Sequence, residues 1–417
     1  MTLEIRPYLP EESDAFNRVP AIVFGNYTGL LRSQTPPEKL GPDLIPPEIS
    51  VCAFEDGMLA STYAGYPFTM RLNGAKAPAA GVTCVGTLPQ FRRRGHLRKI
   101  MEHDFKRRYE ERMEPIAILL ASIAAIYQRY GYAVCSSRYA YTIDPRLIEV
   151  VPSVPAATGT WREASKDELP LLQSMYRQFS QPRNGYLHRA PVMWDVQVLG
   201  IGPNFSGGPD FGPSLIAVYE EAGEPQGYLA YAAKSFTEAP DGAGPGQRLL
   251  VRDYVWHTPS AYRAMWDFLK NFDLARRVLI PAAPPDDPAF DIMLDPRELD
   301  ATRFDWLLGR IIDVERALPL RPYGEGRVVF DVRDNMCPWN RGRWALETGP
   351  EGAAIRRSNE TPSLSLDVSS LAQLLFGQVS PSRAVRYGRA DASPAAPLAV
   401  WDAMFRTEYA PFCPDGF

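Results

Sequence analysis

The stretch that decides the fold runs from Val82 to Leu97: Val-Thr-Cys-Val-Gly-Thr-Leu-Pro-Gln-Phe-Arg-Arg-Arg-Gly-His-Leu. Its first part, Val82–Thr87, is rich in apolar and β-branched residues and predicts a strand. A turn with one proline and consecutive arginines follows, and Gly95 closes it. From His96 onward, apolar residues recur at helical spacing as far as Tyr109, which predicts an amphipathic helix. The order of strand, turn and helix is typical of an alternating α/β domain.

The physics of this turn favours the capture of an anion. The first N–H groups of a helix have no partner within the helix, and the helix dipole makes that end positive. Gly95 has no Cβ to keep a diphosphate at a distance, and the arginines at 92–94 add positive charge. The turn is neither a Walker A loop nor a dinucleotide fingerprint, because both glycine patterns are absent. The competing interpretation is a basic surface run that opens a helix.

Local signals place further elements around the turn. The dipeptides Asp56-Gly57 and Asn73-Gly74 tolerate positive φ and predict two β-hairpins before it. Ser13-Asp14 predicts the cap of an earlier helix that extends to Val23. After the turn, we expect a buried strand at Ile116–Ala121 and a short helix around Tyr127.

The rest of the chain divides into two further regions. We predict domains at 1–150, 151–295 and 296–417. The second domain repeats the first one weakly, but Val255–Tyr262, at the position of the anion turn, has no glycine and no run of arginines. We therefore expect no second anion site there. We also predict a loop at Pro281–Pro288, and in the third region a helix at Asp300–Leu318, strands at 327–332 and 342–346, and a helix at 369–375.

Composition narrows the classes of function. The 417 residues suggest about three domains at roughly 150 residues each. The net charge of −4 gives no reason to expect a nucleic-acid partner. No apolar run reaches the ~18 residues of a membrane span, and the first residues lack a signal peptide's apolar segment. Five cysteines and four histidines without ligand spacing predict neither disulfides nor a metal site. We expect a cytoplasmic protein.

Three motifs together resemble a known family. Arg92-x-x-Gly95-x-Leu97 after a strand resembles motif A of the GCN5-related (GNAT) N-acetyltransferases, except that Leu97 replaces a small residue. The segment Ser-Ile-Ala-Ala-Ile-Tyr-Gln-Arg-Tyr-Gly-Tyr at 122–132 and the end of the chain, Ala-Pro-Phe-Cys-Pro-Asp-Gly-Phe at 410–417, narrow the resemblance to the Eis family. The layout in three parts extends it over the whole chain.

The resemblance implies a fold, a cofactor and a partner. The fold is α/β (α+β), with two tandem GNAT-like domains, the second degenerate, and then a sterol-carrier-protein-like domain, which the segment 334–344 also resembles. Acetyl-CoA is the implied co-substrate, without a metal. The partner is a small-molecule amine, such as an aminoglycoside, or a lysine side chain, and the assembly is a hexamer. The implied acetyl-CoA-binding residues are Val85, Gly86, Thr87, Arg92, Arg93, Arg94, Gly95, His96, Leu97, Arg98, Ser122 and Ile123.

The resemblance also assigns two catalytic groups. Tyr127 is the implied general acid, since a phenol with a pKa of ~10 is protonated at neutral pH and suits donation to a thiolate. The α-carboxylate of Phe417 is the implied general base. The competing interpretation of Tyr127 is a core aromatic, with Tyr130 and Tyr132 nearby, and His96 is more typical of a helix terminus than of a base. Two other functions stay open: a non-catalytic acyl-CoA-binding protein and a lipid-binding protein.

Overall fold

The protein folds into two compact units. The computed structural model describes residues 2–25, 45–201, 211–237 and 245–417. One unit comprises Met1–Cys135, Leu307–Thr407 and Phe417, and the other comprises Ser136–Trp306 and Glu408–Gly416. Within the described ranges, no helix is both long enough and apolar enough to cross a bilayer.

The described residues form strands in three sheets, with helices between them. The strands are β1 (Leu3–Arg6), β2 (Cys52–Glu55), β3 (Met58–Leu72), β4 (Ala75–Thr87), β5 (Ile116–Leu120), β6 (Ala133–Val134), β7 (Ser137–Ile143), β8 (Thr160–Glu163), β9 (Leu215–Glu221), β10 (Glu224–Phe236), β11 (Gly246–Trp256), β12 (Ala275–Ala283), β13 (Thr302–Asp305), β14 (Leu307–Ile311), β15 (Gly326–Arg333), β16 (Gly342–Gly349), β17 (Gly352–Arg357), β18 (Leu364–Asp367) and β19 (Ala390–Ala392). The helices are α1 (Ser13–Phe24), α2 (His96–Glu110), α3 (Ala124–Gln128), α4 (Leu169–Ser180), α5 (Pro191–Met193), α6 (Pro259–Lys270), α7 (Ala289–Ile292), α8 (Val314–Ala317), α9 (Val368–Phe376), α10 (Pro381–Arg386) and α11 (Leu398–Met404).

The first sheet has the strand order β1-β2-β3-β4-β5-β14-β6. The two predicted hairpins are present and share one long strand, β3, which pairs with both β2 and β4. Their turns have the expected positive φ values, 48° and 78° at Asp56-Gly57 and 48° and 88° at Asn73-Gly74. The helix α1 begins at Ser13, but Glu12 is its N-cap and no side chain caps it, so the predicted Ser13-Asp14 cap is wrong.

The second sheet repeats the first, strand for strand. Its order is β8-β9-β10-β11-β12-β7-β13. In each sheet the fourth and fifth strands are parallel, and the sixth runs antiparallel to the fifth. The sixth strand of each sheet comes from the other half of the chain. The strand β7 follows the first repeat in sequence but belongs to the second sheet, and β14 follows the second repeat but belongs to the first sheet. The predicted repeat of one α/β unit is therefore confirmed.

This exchange explains why the predicted helix at Asp300–Leu318 is wrong. The segment forms β13, β14 and only a short helix, α8. All five residues of β14 are buried, because the strand lies between β5 and β6 inside a sheet. Its sequence, Leu-Leu-Gly-Arg-Ile, is neither a continuous apolar run nor a strict alternation, because the buried Arg310 pairs with Asp334. Periodicity alone therefore does not identify the segment as a strand.

The loop predicted at Pro281–Pro288 begins too early. Pro281 lies inside β12, which extends to Ala283. The pairing of β12 with β7 shifts register between Ile280 and Ala283. A bulge of this kind accommodates a proline, which has no N–H to donate to the neighbouring strand.

The third sheet has the order β17-β16-β15-β18-β19 and lies in the first unit. The predicted strands at 327–332 and 342–346 correspond to β15 and β16, and the predicted helix at 369–375 corresponds to α9. Eight of the nine residues of α9 are buried. Its Phe376 lies so close to Gly309 of β14 that a Cβ there would be 2.8 Å from the ring. The helix thus packs closely against the first sheet.

A buried charged cluster holds α2 against the first sheet. Asp104 of α2 accepts hydrogen bonds from Tyr63 Oη of β3 at 2.7 Å and from Arg108 Nε at 2.7 Å, and Arg108 also pairs with Glu114. All three members of the central cluster are fully buried. Removal of one partner from such a pair costs about 3–5 kcal/mol, since the other charge stays buried. The cluster therefore fixes where α2 begins relative to the strand ends.

Candidate active site

The first sheet opens between β4 and β5. The parallel pairing joins Ala80–Val82 to Ala117–Leu119 and ends there, while β4 continues to Thr87. A bulge at Cys84, with φ 51°, shifts the register of β4 against β3 and bends the strand. On its β5 side, the end of β4 has no neighbouring strand among the described residues. An extended ligand can therefore pair with its backbone as an added strand would.

The predicted site residues Val85, Gly86 and Thr87 lie in this open end of β4. Val85 and Thr87 are partly exposed, whereas Gly86 is buried. A Cβ at Gly86 would lie 3.1 Å from Val19 and 3.3 Å from Val23 of α1. The close packing of α1 thus explains why a glycine occupies position 86. A ligand would contact the backbone of residues 85–87 rather than their side chains.

The arginine turn presents an open helix start. Arg93 and Gly95 have left-handed backbones, with φ 65° and 84°, and a Cβ at Gly95 would meet no atom of the described residues within 4 Å. The helix α2 has no side-chain cap and no acidic residue in its first turn. Among the described residues, the N–H groups of His96, Leu97 and Arg98 have no acceptor. Free donors, open space and the positive helix end together suit a diphosphate.

The three arginines of the turn differ in their surroundings. Arg94 forms an ion pair with Glu55 of β2, bonds to the carbonyl of Gln90 and lies over the ring of Phe91. Arg92 donates from Nε to the carbonyl of Thr87 at 3.2 Å. Arg93 is exposed and has no hydrogen bond or ion pair within the described ranges. Arg94 therefore stabilises the turn through these contacts, whereas the guanidinium of Arg93 is available to bind an anion.

The other predicted residues of the turn are partly structural. His96 is buried, and its Nε2 lies 2.8 Å from Glu55 Oε2, without hydrogen-bond geometry. Leu97 packs into the apolar core beneath the sheet, and Arg98 pairs with Glu102 along the helix. The burial of His96 agrees with the interpretation that it is not a base.

The segment after β5 brings Tyr127 to the open end of the sheet. Ser122 and Ile123 are exposed, and Ile123 is 58% exposed with an extended backbone. The ring of Tyr127 packs edge-on to Tyr132 at 6.0 Å. Burial, and secondarily Tyr130, raises the pKa of Tyr127 to about 12. Its hydroxyl has no hydrogen-bond partner among the described residues, so it is a protonated donor without an acceptor.

The neighbouring tyrosines are in different environments. Tyr132 is fully buried, and its enclosed hydroxyl has no hydrogen-bond partner in the described part of the chain. Tyr130 is less buried than Tyr132. Desolvation raises the pKa of Tyr130, and the positive charges of Arg129 and Arg98 oppose that rise. Of the three, Tyr127 combines a partly exposed position with a strongly raised pKa.

Phe417 lies against the strands at the base of the opening. Its ring meets the ring of Phe68 edge-on at 5.1 Å. Phe68 covers Gly81 of β4 so closely that a Cβ there would be 2.1 Å from its Cε2 atom. Gly81 belongs to the last paired stretch before β4 and β5 separate. The sequence patterns gave no indication of Phe68 as a neighbour of this site.

The corresponding point of the second sheet is built differently. The helix α6 begins after Thr258, whose Oγ1 accepts from the N–H of Ala261 at 3.0 Å. Pro259 removes one further N–H group, and Glu221 lies 3.3 Å from the Thr258 hydroxyl. A capped helix start beside a carboxylate does not favour an anion. In the described parts of the chain there is also no group of three or more metal-ligating side chains.

Family models and known proteins match the whole of this arrangement. Acetyltransferase (GNAT) domain models match residues 4–135 and 185–311, and a sterol carrier protein domain model matches residues 314–414. The expected two GNAT domains and sterol-carrier-like domain are thereby confirmed. An uncharacterized N-acetyltransferase of Streptomyces coelicolor is 32% identical over 363 residues, which cover 85% of each chain.

Relatives named Eis are also similar to the chain. N-acetyltransferase Eis of Mycobacterium tuberculosis is 27% identical over 341 residues, with 79% of each chain covered. The crystal structure of Eis1 from Mycobacterium abscessus superposes with a TM-score of 0.80 at 25% identity, over 99% of this chain and 100% of that one. The chain therefore belongs to the GCN5-related (GNAT) N-acetyltransferases, in the family that includes Eis.

Proposed function

We propose that the protein transfers the acetyl group of acetyl-CoA to a primary amine, either on a small molecule or on a lysine side chain. The observation that carries the proposal is the uncapped start of α2 beside the open end of β4. The residues fit the coenzyme: the N–H groups of residues 96–98 and Arg93 would hold the pyrophosphate, and the backbone of residues 85–87 would pair with the pantetheine amides.

The chemistry requires proton transfers that balance. The amine nitrogen forms a bond to the acetyl carbon, and the bond from that carbon to sulfur breaks. Tyr127 donates a proton to the departing thiolate, which its raised pKa supports because the phenol stays protonated. The α-carboxylate of Phe417 accepts one proton of the amine, since an alkylammonium with a pKa of ~10.4 is otherwise charged at neutral pH. The second proton that the nitrogen loses returns to the Tyr127 phenolate, so the products are the amide, the thiol of coenzyme A and the protonated carboxylate.

The acceptor amine is proposed as a class only. Ile123 is exposed in the segment between β5 and Tyr127, where a carboxylate would attract a polycation. An apolar side chain at this point favours an acceptor with one amine beside an apolar surface over a polycationic aminoglycoside. By analogy with Eis we further propose a hexamer in the cytoplasm.

The second candidate is a protein that binds acyl-CoA or lipid without catalysis. The sterol-carrier-like region gives it little support, because Phe376 of α9 packs against Gly309 and the cavity beside the helix is lined largely by polar side chains such as Gln373, Gln378 and Arg383. Acetyl-CoA turnover against aminoglycosides, polyamines and lysine-containing peptides separates the two candidates. Release of CoA thiol that requires an amine supports the transferase, whereas binding without release supports the second candidate.

We expect Tyr127→Phe to lower kcat by ~10²-fold or more, because a positioned proton donor contributes on this scale. Acetyl-CoA affinity should persist, since the hydroxyl is remote from the diphosphate. In the unaltered protein, kcat should show no alkaline decline up to about pH 10, where an ordinary tyrosine is already half ionised, because the pKa of Tyr127 is about 12. Steady-state kinetics and calorimetry measure these quantities.

Tyr130→Phe is the matched control for this substitution. It removes the same hydroxyl from the same segment and should leave kcat within a few-fold of the original. Normal turnover in Tyr127→Phe together with a large loss in Tyr130→Phe would show that the acid is assigned to the wrong residue.

A further inference from the structure

One side chain holds the residue before Phe417 from both sides. The backbone N–H of Gly416 donates to Gln197 Oε1 at 2.9 Å, and Gln197 Nε2 donates to the carbonyl of Gly416 at 2.7 Å. The amide of Gln197 thus closes a two-bond ring with a single glycine. That carbonyl belongs to the peptide that joins Gly416 to Phe417, so the ring fixes the plane of this peptide.

The residue before the glycine is held by charge. Asp415 is fully buried, and it accepts from Arg189 Nε at 2.6 Å and from Tyr176 Oη at 3.3 Å. Arg189 also binds Asp253 through both of its terminal nitrogens, at 2.6 and 3.0 Å. A buried guanidinium shared by two carboxylates has a fixed geometry, because its donors form a rigid fork.

Backbone contacts anchor the segment further upstream. Phe412 donates its N–H to the carbonyl of Asn184 at 2.9 Å, and Gly185 approaches so closely that a Cβ would lie 2.6 Å from the Phe412 carbonyl oxygen. Trp306 Nε1 donates to the carbonyl of Cys413 at 2.7 Å. The segment before Gly416 is therefore already immobilised without Gln197.

Gln197 itself lies in an unusual turn. Residues Trp194–Val198 form a π-helical turn. This conformation is rare in proteins overall, and where it occurs it is often at a functional site. The π turn presents Gln197 to Gly416, a residue whose missing side chain leaves its two dihedral angles unrestrained. The peptide between Gly416 and Phe417 is restrained by the two hydrogen bonds to Gln197, and the described contacts of Gly416 include no other comparable restraint.

We infer that Gln197 is a positioning residue for catalysis: its amide orients the Gly416–Phe417 peptide and thereby the α-carboxylate that accepts the proton of the amine. This inference rests on the proposed function. A proton acceptor works only within hydrogen-bond reach of the amine, directly or through one water. Free rotation about Gly416 would spread the carboxylate over many positions and lower the fraction that is in reach.

The test is Gln197→Leu, which keeps the size of the side chain and removes both hydrogen bonds. We expect kcat with an alkylamine to fall roughly 10- to 10²-fold, the scale for a misplaced catalytic group, while the KM for acetyl-CoA and the melting temperature stay unchanged. Gln181→Leu, at an exposed glutamine of the same region, is the control and should retain full activity. An unchanged kcat in Gln197→Leu would overturn the inference.

Two further readouts separate positioning from general damage. With methoxyamine, a primary amine that is a much weaker base than an alkylamine and is therefore unprotonated at neutral pH, no ammonium has to lose a proton before attack. Gln197→Leu should then lose little activity, whereas structural damage would lower turnover of both acceptors equally. In a protein extended beyond Phe417, Gln197→Leu should cause no additional loss, because the two changes act on the same carboxylate. Full activity of the extended protein would refute the α-carboxylate of Phe417 as the base. If the losses from the extension and from Gln197→Leu add together, the positioning role of Gln197 is refuted. Absence of amine-dependent turnover in the unaltered protein refutes the proposed function and this inference with it.

Discussion

Gly95→Glu should abolish acetyl-CoA binding. The position is open, since no atom of the residues that the structure describes lies within 4 Å of where a Cβ would be. A glutamate therefore fits there but occupies the space beside the free N–H groups of α2. Its negative charge would lie where the diphosphate is expected, at the end of the helix that favours anions. Calorimetric titration with acetyl-CoA should detect no heat of binding at concentrations that saturate the unaltered protein.

Backbone strain is the confounding effect, and the chain offers a matched control for it. Gly223 has φ 85°, close to the 84° of Gly95, and also has open space around its Cβ position. Gly223→Glu therefore introduces the same strain and the same charge in the turn between β9 and β10. It should bind acetyl-CoA normally. Unchanged affinity in a folded Gly95→Glu protein would refute the assignment of the diphosphate to this turn.

Two or three residues appended after Phe417 should lower amine-dependent turnover severely, by ~10²-fold or more, the scale for loss of a general base. Each added residue moves the charge by up to about 3.3–3.6 Å in an extended chain, which takes it out of hydrogen-bond reach of the amine. The ring of Phe417 keeps its contact with Phe68 in this design. Acetyl-CoA affinity should be unchanged, since the tail contributes nothing to the turn at Gly95.

An equal extension before Met1 is the control and should be harmless. Steady-state kinetics on both proteins, with intact mass confirmed, measures the effect. Full activity of the protein extended after Phe417 would remove its carboxylate from the mechanism.

Local signals predicted the elements that depend on neighbouring residues. The turns at Asp56-Gly57 and Asn73-Gly74 need left-handed backbones, which their residues tolerate, and both are present. The helix from His96 follows from apolar spacing and ends at Glu110. These features are decided within a few residues of chain, so a single sequence contains enough information for them.

Long-range pairing was not predictable in the same way. The residues of β14 join β5 and β6 across almost two hundred positions of chain, as Leu307 pairs with Leu120, and a local pattern does not specify a distant partner. The same limit applies to the site. Arg93 and Arg94 look alike in the sequence, and only the register of β2 places Glu55 beside Arg94. Gln197 had no motif at all, because its role depends on the fold of the tail.

The central claim is that an acetyl group passes from acetyl-CoA to an amine on this protein. The most direct measurement is the incubation of the protein with isotopically labelled acetyl-CoA and the panel of amines, followed by mass spectrometry of the acceptors. The account predicts that labelled acetyl appears in amide linkage on at least one primary amine, and that Gly95→Glu abolishes it while Gly223→Glu does not. Label that stays on coenzyme A, or that leaves as free acetate at a rate independent of any amine, would contradict the account.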